Sequence, residues 1–280
     1  MNYAPIFGMF ERSAGPDLVD QIVWAHEQGF RAWEDNTLPY RSRRDQDRIA
    51  QALADRGMRM GVFVVGDDHG LHAPTISRPD ADAQAAFLLQ IEDRVELARR
   101  MNATWMTVLP GVADLVLKEG YQLANIVETL RRAAEMLEPH GLVMAVEPVS
   151  GWSTPGDLID AMDLGYLICK SVSSPSCKLL FDVFQQQVLA GNIIEEIDYC
   201  WDEICYFQIG DHPGRHEPGT GEINYPFVMR HIASKGYGGL IGMEHSVRTP
   251  TPAGEMALVH AYRRMDAFIG EAGHSTLLEW

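Results

Sequence analysis

Eight short apolar runs, each followed by a longer stretch of helical period, succeed one another from the N-terminus to about residue 270. The runs cover 4–10, 31–34, 58–65, 104–109, 142–147, 178–182, 204–208 and 240–244. Most span four to eight residues and few alternate cleanly between apolar and polar, the pattern of strands buried on both faces. Between them, stripes recur at i, i+3, i+4 and i+7. Phe87, Ile91, Val95 and Ala98 form one; Leu123, Ile126, Val127, Leu130, Ala134 and Leu137 form another. Gly29, Gly57, Gly141 and Gly236 stand where helices should close before the next strand, in a left-handed conformation that costs glycine little. Regular alternation predicts parallel strands with right-handed crossovers, and eight units are the number that closes into a barrel. The expected fold is α/β, a single (β/α)8 TIM barrel domain over residues 1–280. An open doubly wound sheet is the competing architecture. It is disfavoured because Phe10-Glu11-Arg12-Ser13-Ala14-Gly15 stands where a glycine-rich phosphate fingerprint would follow the first strand.

Composition narrows the function classes. With 23 Lys+Arg against 39 Asp+Glu the formal charge is −16, a field that repels nucleic acid and anionic membrane surfaces. Cys169, Cys177, Cys200 and Cys205 form no CxxC pair and read as reduced thiols. The N-terminal stretch lacks a basic segment followed by an apolar one, and nowhere do eighteen apolar residues run together. A cytoplasmic location is the expectation.

The longest connections, 66–79, 110–118, 148–155 and 209–225, all follow the carboxyl ends of strands, where barrels of this kind build their active sites. Four polar residues close otherwise apolar runs at that face: Glu147 in LVMAVEP, Asp182 in KLLFDVF, Gln208 in CYFQIGD and Glu244 in LIGMEHS. Each would be costly in a barrel mouth without a partner, and a cation is the natural one. Three carboxylates and an amide oxygen suit one hard divalent ion, Mg²⁺ or Mn²⁺. Such an ion acidifies the carbon-bound proton of a hydroxy-carbonyl substrate. Glu147 and Glu244, expected well apart on strands five and eight, are then candidates for base and acid from different sides.

The segment from Gln208 to Pro218, QIGDHPGRHEP, running on to Gly221-Glu222-Ile223-Asn224-Tyr225-Pro226, resembles the signature of the hydroxypyruvate isomerase family within the xylose-isomerase-like barrels. Glu147-Pro148, Asp182-Val183-Phe184 and Gly242-Met243-Glu244 resemble that family's other strand ends. The resemblance implies a divalent-metal sugar isomerase or epimerase, with Glu147, Asp182, Gln208 and Glu244 as ligands and the two glutamates as the acid/base pair. It also implies a small carbohydrate or keto-acid substrate and makes a homo-oligomer a reasonable expectation. Arg215 falls where such enzymes place an arginine near the substrate, and its planar fork suits a carboxylate or paired hydroxyls. Glu217 is placed to hold Arg215 or the loop, with a direct substrate contact as its lesser role.

Several positions depart from the family. Many relatives carry a histidine three residues after the strand-six aspartate; here it is Gln185, which can bind a hydroxyl but carries no proton. Strand two ends in Trp33-Glu34-Asp35-Asn36, more polar than expected. His69 and His72 lie in a catalytic-face loop, and His72 is retained as a substrate-binding candidate. Trp33 and Trp152 face the same end, where packing under loops is the simpler role. These departures leave a ketose 3-epimerase, a keto-sugar or keto-glycoside lyase and a catalytically silent sugar-binding barrel as alternatives. An abasic-DNA endonuclease is disfavoured by the charge and the oxygen-only donor set.

Overall fold

The computed structural model describes residues 1–66, 76–151 and 153–272. Among the described residues there are eight parallel strands: β1 Asn2–Ala4, β2 Ala32–Trp33, β3 Arg59–Met60, β4 Trp105–Val108, β5 Val143–Val146, β6 Cys177–Asp182, β7 Ile204–Gln208 and β8 Leu240–Gly242. Six pair in the order β1-β8-β7-β6-β5-β4, and β2 pairs with β3. Lone hydrogen bonds complete the ring. Glu34 N–H donates to Pro5 O at 2.9 Å beside β1, while Val65 N–H donates to Thr107 O at 3.0 Å and Thr107 N–H to Phe63 O at 2.9 Å beside β4. The expected TIM barrel is therefore the architecture observed.

Helices cover the outside: α1 Glu11–Ala14, α2 Leu18–Glu27, α3 Arg43–Asp55, α4 Ala81–Met101, α5 Glu119–Leu137, α6 Met162–Val172, α7 Val183–Leu189, α8 Ile193–Cys200, α9 Tyr225–Ser234 and α10 Pro252–Ala272. The expected stripe on α5 is the docked one, with Ile126, Leu130, Ala134 and Leu137 buried and Leu123 and Val127 packed at its margin. Asp17, Ser42 and Asp80 accept hydrogen bonds from the first-turn amides of α2, α3 and α4, giving orphan donors a partner. The four glycines expected to close helices all have positive φ.

Some strands are shorter than their apolar runs. The first ends at Ala4 rather than Phe10, because Pro5 has no amide to donate and Gly8 turns the chain at φ 89° into α1. The third is interrupted at Gly61, where an added Cβ would lie 2.4 Å from the Tyr206 hydroxyl and 3.2 Å from Trp33 O. The eighth stops at Gly242, so Glu244 sits two residues past the ladder.

Two apolar layers result. The larger lies between sheet and helices. The smaller joins Ala4, Ala32, Val62, Ala145, Leu180, Tyr206 and Leu240 in the barrel interior. Side chains alternate along a strand, so two positions onward from five of these residues lie Glu34, Glu147, Asp182, Gln208 and Gly242 on the same inner face. This parity aims polar side chains from four strands at one point above the inner core, and Gly242 leaves room among them.

Candidate active site

Glu147, Asp182 and Glu244 converge at the carboxyl ends of β5, β6 and β8, with one carboxylate oxygen from each lying within 4.8 Å of the others. Glu147 and Asp182 are buried, whereas the Glu244 side chain keeps 24% exposure. The expectation that Glu147 and Glu244 stand well apart is corrected. Their strands are separated around the rim, but both side chains reach inward across a narrow mouth.

Arg215 joins the cluster from the loop after β7. Its Nη2 donates to Asp182 Oδ2 at 2.6 Å and to Glu244 Oε2 at 2.7 Å, and its Nε donates to Glu244 O at 2.9 Å. The guanidinium lies over the Phe184 ring, 4.8 Å from its centroid. Arg215 has φ 50°, a left-handed backbone costing a non-glycine residue about 1–2 kcal/mol. The surrounding loop holds it there. Asp211, fully buried, accepts from the amides of Gly219 at 2.7 Å, Gly221 at 2.8 Å and Ile223 at 3.1 Å. The Asp211 amide donates to His216 O at 2.7 Å, and Ser246 N–H donates to Arg215 O at 3.0 Å.

Charge crowding sets the proton affinities. Burial, then the carboxylates of Glu244 and Asp182, push Glu147 well above the usual carboxylate range. Burial raises Glu244 to about 7 against the opposing pull of Arg215. Asp182 is also raised by burial, with Arg215 and the amide of Phe184 opposing the shift. For Arg215 itself burial works against the charge, but Glu244, Asp182 and Glu147 outweigh it and keep the guanidinium protonated.

Gln208 stands beside Asp182 in register, fully buried. Its Nε2 donates to Glu34 Oε1 at 2.9 Å, and among the described residues its Oε1 has no hydrogen-bond partner. Glu34, expected only as part of an unusually polar end to strand two, belongs to the cluster. It is completely buried, receives the Tyr206 hydroxyl at 2.8 Å on Oε2, and is raised to about 8 by burial and the Glu244 charge. Asn36, from the same segment, donates from Nδ2 to Glu244 Oε1 at 3.2 Å. The available signal was parity, since Glu34 follows the inner-facing Ala32 by two positions.

The remaining candidates occupy varied places. Gln185 is buried, and its Oε1 accepts from Ser150 N–H at 3.0 Å and Ser153 Oγ at 3.2 Å, anchoring the loop after β5. Glu217 accepts the Arg248 amide at 2.9 Å and so clasps two loops, the second of the two holding roles expected of it. Trp33 is buried beneath Phe7, 4.7 Å between ring centroids. His69, His72 and Trp152 lie outside the described residues. A cavity of about 670 Å³ opens beside the cluster, lined by Phe7, Met9, Arg12, Arg215, Glu244 and His245 among others. Arg12, absent from the expected site, contributes a cation at its edge.

Comparison with known proteins gives a consistent pattern. Residues 22–265 match the family described as xylose isomerase-like TIM barrel. The 2-oxo-tetronate isomerase of Cupriavidus necator is 29% identical over 243 residues, which cover 85% of this chain and 90% of that protein. The hydroxypyruvate isomerase of Escherichia coli K12 is 33% identical over 131 residues, covering 47% of this chain and 51% of that protein. A crystal structure described as an AP endonuclease, family 2, from Brucella melitensis superposes with a TM-score of 0.80 at 23% identity, covering 90% of this chain and 96% of that one. At that identity the likeness is one of fold alone.

Proposed function

The chain belongs to the xylose isomerase-like TIM barrel family, and from that premise we propose that it is a divalent-cation-dependent isomerase of a small hydroxy-carbonyl compound. Residues 1–280 are read as one barrel domain. The observation that carries the proposal is the convergence of Glu147, Asp182 and Glu244 at the carboxyl mouth, with Arg215 bonded to two of them. Three carboxylates against one guanidinium leave two formal negative charges, the complement of one M²⁺. The unpartnered Gln208 Oε1 supplies a fourth oxygen donor. An all-oxygen set of this kind fits Mg²⁺ or Mn²⁺.

When bound, the cation would stabilise negative charge on adjacent substrate oxygens and so acidify the neighbouring C–H. Glu147 and Glu244 are the proton carriers in this reading. In the metal-free protein burial raises both above the ordinary carboxylate range, the direction that favours taking up a proton from carbon. One removes the proton from the hydroxyl-bearing carbon and a proton is returned to the neighbouring carbon, while the hydroxyl proton passes to the former carbonyl oxygen, so that the isomerisation moves one proton between carbons and one between oxygens. Arg215 spends Nε and Nη2 on the cluster, and among the described residues no hydrogen bond engages Nη1, which suits it to a substrate carboxylate or hydroxyl.

Two relatives are named for 2-oxo-tetronate and hydroxypyruvate, both short hydroxy-keto acids, and this supports substrates of that class. A cavity of about 670 Å³ is roomier than a three-carbon acid requires, so free ketoses belong in the test panel. Both the net charge of −16 and the oxygen-only donor set weigh against DNA as substrate.

The test is solvent deuterium incorporation followed by NMR in D₂O, with hydroxypyruvate, four-carbon 2-keto acids and ketoses, comparing EDTA-treated and Mn²⁺-loaded protein. The expected result is cation-dependent exchange with isomer formation, lost in Glu147→Gln and Glu244→Gln. Exchange with inversion at C3 of a ketose would reassign the chain to an epimerase, and release of a second fragment to a lyase. Tight Mn²⁺ binding without exchange on any member of the panel would overturn the isomerase reading.

A further inference from the structure

Beside the three carboxylates lies a further buried acid, hydrogen-bonded to one of the ligand candidates. Glu34, just past the end of β2, has no exposed surface. Its two oxygens divide their work. Oε2 receives the Tyr206 hydroxyl at 2.8 Å, and Oε1 receives Gln208 Nε2 at 2.9 Å. Tyr206 and Gln208 are alternate residues of β7, so both reach Glu34 from one strand.

Space for this arrangement is built into two other strands. A Cβ at Gly242 would lie 2.1 Å from Glu34 Oε2 and 2.9 Å from Gln208 Cγ. The absent side chain at Gly61 leaves room for the Tyr206 hydroxyl, which a Cβ there would approach to 2.4 Å. A buried glutamate with two donors and two cleared positions is held for a purpose beyond filling volume.

That purpose follows from the chemistry of an amide. Gln208 has a donor end and an acceptor end, and only the oxygen can bind a cation. A free glutamine could turn either end toward the site. Glu34 Oε1 takes the Nε2 end at 2.9 Å while its Oε2 is occupied by the Tyr206 hydroxyl, so the donor end of the amide is engaged away from the site and Gln208 Oε1 is left as the free acceptor. Oε1 is in fact buried without a hydrogen-bond partner among the described residues. We infer that Glu34 is a positioning residue that fixes the side-chain amide of Gln208 with its oxygen available to a divalent cation. This rests on the reading of Glu147, Asp182, Gln208 and Glu244 as the cation site. Outer partners of this kind commonly govern metal affinity as strongly as some ligands do.

The experiment is Mn²⁺ titration followed by the EPR signal of the free ion, on wild type, Glu34→Gln and Tyr206→Phe, each checked for folding by its melting temperature in EDTA. Glutamine at position 34 keeps the size but can donate to Gln208 Oε1, allowing the amide to turn round. Glu34→Gln is expected to weaken Mn²⁺ by about 10–100-fold. Tyr206→Phe, which removes one of Glu34's two hydrogen bonds and leaves Gln208 intact, is expected to weaken it by about fivefold. A merely structural role would lower the melting temperature and leave the affinity of the folded protein unchanged. Wild-type affinity in Glu34→Gln overturns the inference while leaving the cation site standing. Should Glu34→Gln fail to fold, wild-type affinity in Tyr206→Phe does the same. Failure of the wild type itself to bind Mn²⁺ overturns both this inference and the reading beneath it.

Discussion

Asp211 offers the sharpest test of how the loop after β7 presents its arginine. The carboxylate is fully buried and takes three amide hydrogens, two on Oδ2 from Gly219 and Gly221 and one on Oδ1 from Ile223. In Asp211→Asn the remaining oxygen can keep the two-donor side. The new NH₂ then faces the Ile223 amide, donor against donor. One lost hydrogen bond and a buried unpaired N–H cost about 2 kcal/mol. In Asp211→Ala all three amides lose their acceptor, but Gly219 and Gly221 lie at the surface where water can replace it. Roughly 1 kcal/mol for each of those two and about 2 kcal/mol for the buried Ile223 amide give a loss of about 4 kcal/mol. At about 2–4 °C per kcal/mol for a chain of this size, melting should fall by about 4–8 °C in the asparagine variant and about 8–16 °C in the alanine variant. The assay is thermal unfolding by circular dichroism at pH 7, paired with KM for the substrate that shows deuterium exchange. KM should rise in both variants, because Arg215 loses the frame that holds its left-handed backbone. Equal melting temperatures for the asparagine variant and the wild type would refute the hydrogen-bond accounting. A clear melting loss with unchanged KM would refute the link from Asp211 to Arg215.

Three further outcomes are expected. In metal-free protein Glu34 and Glu244 are raised from 4.5 to about 8 and about 7, so the fold holds their protons more tightly than the unfolded chain does. Their stabilising contribution is complete below pH 4.5 and is lost as pH rises through 7 and 8; melting in EDTA should fall over pH 5–9, Mn²⁺ should reverse the fall, and a steady rise in EDTA would contradict the charge crowding. Gly242→Ala places a methyl 2.1 Å from Glu34 Oε2, and should cost about 1–3 kcal/mol by overpacking while weakening Mn²⁺ binding; unchanged affinity by calorimetry would show that Glu34 can move aside freely. Gln185→His should remove the acceptor of Ser150 and Ser153, at about 1–2 kcal/mol, without conferring turnover of ketoses; a gain of ketose isomerisation would make position 185 the determinant of substrate class.

The polar strand ends were legible because Glu147, Asp182, Gln208 and Glu244 each interrupt an apolar run, and an apolar run ending in a carboxylate stands out in one dimension. Eight alternating units likewise announced the barrel. Glu34 was hidden for the opposite reason. Its strand is two residues long, and Glu34-Asp35-Asn36 form an unbroken polar run in which no single residue is marked out as facing inward. What buries it are a hydroxyl 172 positions away and the missing side chain of Gly242, neither of which has any local signature. The first strand was overread because Ile6 to Phe10 are as apolar as a strand while Pro5 and Gly8 deny them a ladder. The role of Gln185 depended on where the loop after β5 folds back, a contact of 35 residues' separation that periodicity does not encode.

Arg215 differs from its partners in one respect: the carboxylates stand at or just past the ends of strands, whereas the arginine arrives on a loop closed by its own internal hydrogen bonds. Frame and loop are thus separable modules. Exchange of residues 216–222 for a loop of equal span that keeps Arg215 on Asp182 and Glu244 should redirect which substrates are accepted while the ion affinity of the frame persists, giving a single scaffold from which catalysts of differing preference can be assembled.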